Sequence, residues 1–401
     1  MTKSVPHLAE LPTERPAGCP FDPPAELGPL RDEHPLVRLT YPGGHEGWLA
    51  TGHTIVRYIV ADPRFSARQE LMHSPLPGAA AMAGELPPAP PGMFIKMDEP
   101  EHGRYRKLLT GKFTVRRMRL LTERVEQVTA EYLDAMERQG SPSDLVTAFA
   151  QPIPALMICE LLGVPYVDHE FFRDNVAPLN RPDASLAEQE AAINALGEYL
   201  YKLVVAKRAE PTDDILGELT TTELTDEELT SIAFLLLGAG LDTTANMLAL
   251  GTFALLQHPD QLESLRQDPE SVEGAVEELL RYLSITHTGV RTALEDVEIG
   301  GQVVKAGESV ALSVMAANRD PLKFPDPDRL DLSRNAAGHA SFGHGVHQCL
   351  GQQLARVQMT VAFTGLLTRF PGLRLAVPAD EVPLRTDSDI YGVHALPVAW
   401  D

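Results

Sequence analysis

The sequence predicts a mainly α-helical fold with a small β-rich region, in a single domain spanning residues 1–401. Three observations carry that expectation. Apolar residues recur at helical spacing through the middle of the chain, short β-type runs lie on either side of that stretch, and no repeat or low-complexity linker divides it. Composition agrees: 44% of residues are hydrophobic, and 34 Lys+Arg stand against 56 Asp+Glu for a net charge of −22. Disorder would need far fewer apolar residues at this charge, and a general binder of nucleic acid or anionic membrane would need the opposite sign.

The elements follow in order. Residues 1–16 contain no apolar run of signal-peptide length and are broken by prolines, so a cytoplasmic location is expected. After a Pro-rich lead-in over 12–35, strands are expected at Leu36–Thr40 and Gly47–Thr51. Pro75–Gly92 is crowded with Pro, Ala, Gly and Met, which regular structure does not survive; a loop of that length suggests a lid or an inert insertion. From Pro100 to Arg138 the apolar spacing turns helical, and further helices are expected at 151–162, 188–208, 225–257 and 270–283. Within 225–257, the apolar stretch Ile232–Leu256 carries Asp242, Asn246 and several glycines, which suits a buried helix better than a membrane span. Val297–Val304 reads as a hairpin around Gly300-Gly301, Ser309–Met315 as a strand, and Gly351–Phe370 as the last helix.

The three cysteines, Cys19, Cys159 and Cys349, are odd in number and widely spaced, which excludes a disulfide framework. Cys349 stands apart. It lies in Phe342-Gly343-His344-Gly345-Val346-His347-Gln348-Cys349-Leu350-Gly351, just ahead of a helix, where backbone N–H groups and the helix dipole favour a thiolate. Residue chemistry leaves four readings open: a zinc site with His339, His344 and His347, a nucleophile with His347 as base, an axial ligand to haem iron, or a buried thiol. Another anomaly is Ala239-Gly240-Leu241-Asp242-Thr243-Thr244 inside the apolar helix. A carboxylate there is costly unless paired or functional, so the run is either a packing glycine beside a satisfied Asp or a site.

At all seven specified positions, F-G-x-G-x-H-x-C-L-G resembles the haem-binding signature of the cytochrome P450 family. A chance match in a chain of average composition is rarer than about one in a million. The resemblance implies that family's fold, with haem b held between the long distal helix and the cysteine-loop helix, and O2 as co-substrate. It makes Cys349 the axial thiolate and metal ligand, Phe342 the residue packing beside the sulfur, and Gly343, Gly345 and Gly351 close-approach positions. It assigns Ala239 and Gly240 to the haem surface, and Asp242 and Thr243 to catalysis, supplying protons and steadying a water. His102, Arg106, Arg291 and His347 become a clamp on the haem propionates. Glu278, Arg281 and Arg329 match a buried structural triad.

The same resemblance places Met93, Phe94, Asn175, Leu179, Leu235, Gly238, Ile285, Thr286, Val290, Ile390 and Tyr391 around a substrate pocket, with the 75–94 lid and a break over 175–185. Their apolar character suits a lipophilic substrate. The chain looks like the soluble streptomycete branch that includes antibiotic-tailoring, xenobiotic and secosteroid hydroxylases, which implies hydroxylation or epoxidation of a macrolide- or polyketide-like natural product. A broad-specificity xenobiotic or steroid hydroxylase is the alternative reading; a haem-thiolate sensor would not need Asp242 and Thr243, and peroxygenases commonly replace that pair. The chain carries no dinucleotide fingerprint, flavin domain or additional Cys cluster, so electrons are expected from a ferredoxin and an NAD(P)H-dependent ferredoxin reductase acting on a monomer. Arg104–Arg124 holds eight basic residues against the single acid Glu123, a local balance of +7, and Lys112, Arg116 and Arg117 are the expected docking cations.

Overall fold

The computed structural model describes residues 5–401 apart from 17, 77–85, 181–183, 287, 387 and 389. Half of the expected lid, 77–85 of 75–92, therefore lies outside the described residues. Its end is ordered by a short 3-10 turn at Phe94–Lys96.

Local chemistry explains the longest helix. Thr225 accepts from the Glu228 N–H through its hydroxyl while the Glu228 carboxylate accepts from the Thr225 N–H, so two orphan donors are satisfied at the start of Asp226–Gln257. His258 and Pro259 end it. This central helix is long and apolar enough by composition to cross a membrane, yet it is the spine of the core. It packs against Pro152–Leu162, Leu186–Ala209 and Gln352–Arg369, and Leu229, Leu250, Phe253, Ala254 and Leu255 are inaccessible.

The helical stretch expected from 100 to 138 is three helices, Glu101–Thr110, Val115–Leu120 and Thr122–Gln139, interrupted around Gly111 and Leu121. The break expected at Asn175 lies further on, because His169–Asn180 remains helical through Pro178. The last expected strand is shorter, Ser309–Leu312, since Ser313 caps a helix at Val314–Asn318 by accepting from the Ala316 N–H. The hairpin Val297–Ile299/Gln302–Val304 forms as expected, with φ of 60° at Gly300 and 74° at Gly301, the positive values a two-residue turn requires.

The β-rich side is a six-stranded mixed sheet in the spatial order His7–Leu8, Leu36–Thr40, Glu46–Ala50, Ser309–Leu312, Gly289–Ala293 and Phe65–Ser66. Trp48 lies opposite Val310, and Arg291 opposite the same Val310 from the other side, so the N-terminal third of the chain is tied to the segment following the Glu278 helix. A separate C-terminal hairpin, Leu384–Arg385 with Gly392–Val393, packs against the central helix.

Candidate active site

Two cavities flank the central helix, and the helical repeat decides which residues see which. Ala239, Gly240, Thr243, Thr244 and Met247 line a cavity of about 350 Å³ that ends at Cys349. Leu237, Leu241, Asp242, Ala245 and Asn246 line a second cavity of about 620 Å³ on the far side. Adjacent residues on a helix point about 100° apart, so Thr243 and Asp242 open onto different walls.

Cys349 sits at the floor of the cysteine-side cavity, one residue ahead of the Leu350-Gly351 step into Gln352–Arg369. Its N–H donates to the Phe342 carbonyl at 2.8 Å, closing the loop. The residue is exposed, but onto the cavity wall. Burial pushes its thiol up, while the N–H groups of Gly351 and Gln352 and the charges of Arg106 and Arg356 pull it down. Gly345 adopts φ 74°, and a Cβ there would lie 2.7 Å from the Val60 carbonyl, so this glycine lets the loop seat against the helix His53–Ala61. Phe342 stacks under the Arg356 guanidinium, 4.5 Å from its ring, and Arg356 is held by Glu277.

At the side of the same cavity, His102 and His347 bring their rings within 4.1 Å. The Nε2 of His102 is buried without a hydrogen-bond partner, and its Nδ1 lies 3.3 Å from Glu99. Burial, together with the charges of Arg291, His102 and Arg106, pushes His347 down to about 3. Burial also lowers Arg291 and Arg106; among the described residues Arg291 donates only to the carbonyl of its neighbour Val290, while Arg106 donates to the Gln348 carbonyl. A cluster of buried cationic and imidazole groups, one of them orphaned, calls for an anionic ligand. A flat group carrying two carboxylates and a thiolate-binding metal meets that demand, so the donor set fits haem.

The other chemistries fit poorly. Among the described residues no group of three or more His, Cys, Asp and Glu could hold a metal ion, and His339 faces Glu277 at 3.2 Å. An imidazole pushed as low as that of His347 is too weak a base to activate a nucleophile.

On the distal wall the Thr243 hydroxyl donates to the Ala239 carbonyl at 2.9 Å, which leaves its oxygen free to accept from a water in the cavity. Asp242, expected to serve catalysis together with Thr243, faces the other cavity. Its Oδ1 accepts from Arg385 Nη1 at 2.5 Å and from Asn246 Nδ2 at 3.0 Å, on the far wall. A Cβ on Gly240 would press on Ile158 at 3.3 Å, so this glycine also serves helix packing.

Phe94, Leu235, Ile285 and Thr286 line the cysteine-side cavity, as expected of a substrate wall. Met93, Gly238 and Val290 are not among its lining residues; Gly238 is turned away by one helical step, and Val290 is buried in the sheet. Asn175 is spent on the Phe171 carbonyl, and Leu179 packs into the helical core. Tyr391 is buried, its hydroxyl donating to the Pro20 carbonyl beneath the Arg15 guanidinium, while Ile390 bridges Thr286 from behind.

Two further expectations are corrected. Glu278 and Arg281 pair bidentately with no exposed surface, but Arg334 supplies the third member, its Nε 3.1 Å from Glu278. Arg329 offers its backbone carbonyl and turns its side chain outward. Of the expected docking cations, Lys112 and Arg117 both close on Glu218, leaving Arg116 exposed. Sequence reasoning missed Arg334 and Arg385; a second arginine five residues beyond Arg329 was a signal for the first, whereas nothing local marks Arg385.

A family model described as Cytochrome P450 matches residues 200–391. The chain is 51% identical over 383 residues to Cytochrome P450 105C1 of a Streptomyces species, covering 95% of this chain and 96% of that protein. It is 44% identical over 387 residues to pentalenic acid synthase of Streptomyces avermitilis, covering 95% of each. Among solved structures, CYP105P1 in complex with filipin I superposes with a TM-score of 0.90 at 43% identity, covering 98% of this chain and 99% of that one.

Proposed function

The chain belongs to the cytochrome P450 family, and from that membership we propose that it is a monooxygenase of lipophilic natural products, with Cys349 as its haem ligand and a ferredoxin as its electron donor. Haem b and O2 are the family's cofactor and co-substrate. Bound haem supplies the redox chemistry, in which O2, two electrons and two protons yield one oxygen atom inserted into the substrate and one water.

The observation that carries the reading is the convergence, on one cavity, of Cys349 from below, the His102, Arg106 and His347 cluster from the side and Thr243 from above. Cys349 would hold the iron through a sulfur already surrounded by N–H groups and guanidinium charge. The cationic cluster, with Arg291, would take the two propionates and so supply the anions that the orphaned His102 Nε2 and the buried arginines lack. Thr243 holds a water at the distal wall, and Asp242 collects protons from the far cavity. Phe94, Leu235, Ile285 and Thr286 exclude bulk water and orient an apolar substrate.

The named relatives support the substrate class: one is a pentalenic acid synthase and another binds filipin I. No dinucleotide or flavin fingerprint is present in the sequence, which supports an external ferredoxin and reductase as the electron source. The test is spectroscopic. The reduced, carbon monoxide-treated protein is expected to show the thiolate-ligated Soret band, and Cys349→His to lose it. Titration with a panel of macrolides, terpenoids and steroids is expected to shift the haem spin state with at least one class. Absence of the thiolate band in the wild type would overturn the reading.

A further inference from the structure

The central helix separates two chambers whose linings share no residue. The far one, about 620 Å³, is the larger, and it falls within the roughly 300–1,000 Å³ typical of sites that take small molecules. Its walls come from the helices Thr122–Gln139, Pro152–Leu162 and His169–Asn180, from the central helix and from the C-terminal hairpin. Between the first two of these the chain makes a π-helical turn at Val146–Ala150, a rare conformation that recurs at functional sites, and Val146 and Thr147 of that turn line the chamber. Cys159, Phe172, Leu241 and Val393 on the walls are buried, whereas Tyr166 and Val167 at the mouth are 78% and 83% exposed. The chamber is therefore apolar in its depth and open to solvent at one end.

Charge selects among the molecules that could enter. Among the described residues the lining carries three carboxylates, Glu131, Glu170 and Asp242, against one cation, Arg385. Arg385 and Asp242 pair with each other at 2.5 Å on the inner wall, so the excess negative charge belongs to Glu131 and Glu170, both exposed. Arg124 approaches Glu131 only to 3.8 Å and is held more closely by Glu160. Tyr132, Tyr166 and Phe172 set aromatic rings around the same space, and ring faces attract cations. An anionic ligand would meet repulsion here, while a cation on an apolar body would find both halves of its chemistry matched. Burial pushes the Cys159 thiol up to about 12, so this wall holds a neutral thiol and no nucleophile.

We propose that the far chamber is a second small-molecule site, separate from the cysteine-side cavity, and that it takes a lipophilic amine. The polycyclic or aromatic body lies against Phe172, Leu241 and Val393, and the protonated nitrogen stays at the mouth beside Glu131 and Glu170. Binding is reversible, and no bond forms or breaks. Because the two linings are disjoint, an amine here and a ligand in the cysteine-side cavity occupy the chain together. This site goes beyond the haem reading and does not depend on it.

Equilibrium dialysis of the haem-loaded protein saturated with clotrimazole, a bulky azole that fills the cysteine-side cavity, tests this with imipramine, a tricyclic tertiary amine. About one imipramine per chain is expected to bind beside the azole, and carbamazepine, a similar tricyclic body without the amine, to bind about tenfold more weakly. The double change Glu131→Gln with Glu170→Gln, at the exposed mouth where folding is not at stake, is expected to weaken imipramine about tenfold and to leave carbamazepine unchanged. Ala245→Trp, which fills the chamber from the central helix, is expected to abolish the binding of both. No uptake of imipramine beside clotrimazole, or uptake that neither the Gln pair nor Ala245→Trp reduces, would overturn the site. Equal binding of the two tricyclics would overturn its choice of an amine. A Soret band that clotrimazole fails to move would instead count against the haem reading, and imipramine binding to the wild type and the Gln pair would still decide the far chamber.

Discussion

At the scale of single residues, what mattered most was how far away each side chain's partner lies in the chain. Cys349 was legible because its loop, its glycines and the helix it precedes are contiguous, and the backbone donors that pull its thiol down belong to residues two and three positions on. Thr243 was legible for the same reason, its hydroxyl answering to a carbonyl one turn back. Asp242 was legible as an anomaly but not in its orientation, because the guanidinium that holds it comes 143 residues later. Thr243→Ala removes the acceptor that steadies a water while leaving the cavity walls in place. The variant is expected to go on consuming NADPH in the reconstituted system but to release several-fold more hydrogen peroxide per product, about 1 kcal/mol in the partition between the two outcomes. Tight coupling in this variant, measured as product formed per NADPH, would contradict the role.

At the scale of elements, the Glu278 helix shows how a motif can name two partners correctly and miss the third. The i,i+3 spacing puts Glu278 and Arg281 together whatever the fold does, whereas the choice between Arg329 and Arg334 depends on how the segment after Pro327 turns back on itself. Arg334→Ala leaves a fully buried carboxylate short of one donor and is expected to cost about 2–3 kcal/mol of stability, while Arg329→Ala is expected to cost less than about 0.5. Urea unfolding of the two variants side by side checks this. A second device joins the sheet to the segment entering residues 77–85. The rings of His45 and His73 stack 3.6 Å apart, and His45 Nε2 accepts from the Ser309 N–H, which requires a neutral ring. Burial lowers both histidines below their ordinary value of 6.5, with each cation disfavouring its neighbour at His45 and with Glu308 and Glu46 opposing. A depressed histidine contributes stability that is complete above about pH 6.5 and is lost as pH falls toward the folded value. The urea midpoint is therefore expected to decline below about pH 6.5, and His73→Phe, which keeps a flat ring but cannot be protonated, is expected to flatten that decline.

For the whole molecule, the net charge of −22 and the basic stretch 104–124 gain a different meaning once pairs are drawn. Arg104 is closed on Glu228, Lys112 and Arg117 on Glu218, and Arg124 on Glu160, so much of the stretch is internal cross-linking between helices. Lys107 and Arg116 are exposed and carry no ion pair among the described residues. Under the ferredoxin pairing proposed above, these two are, among the described side chains of the stretch, the cations left to steer an acidic partner. Reversing both to Glu is expected to lower the association rate about tenfold at low ionic strength and to weaken its salt dependence, whereas Arg117→Glu should mainly loosen the contact with Glu218. Stopped-flow reduction at two salt concentrations separates the outcomes, and an unchanged on-rate in the double reversal would move the docking face elsewhere.

The sequence by itself determined whatever depends on residues near one another along the chain: the mainly helical fold, the capped central helix, the hairpin at Gly300-Gly301, the cysteine loop and the hydroxyl above it. Periodicity, capping and positive φ are local properties, and a motif is legible where its members are neighbours. Only the tertiary structure decided which wall of the central helix Asp242 faces, which arginine completes the Glu278 network and which surface cations are left over. Each of those is a competition among distant side chains for one partner, and packing is what brings the winner within hydrogen-bond reach.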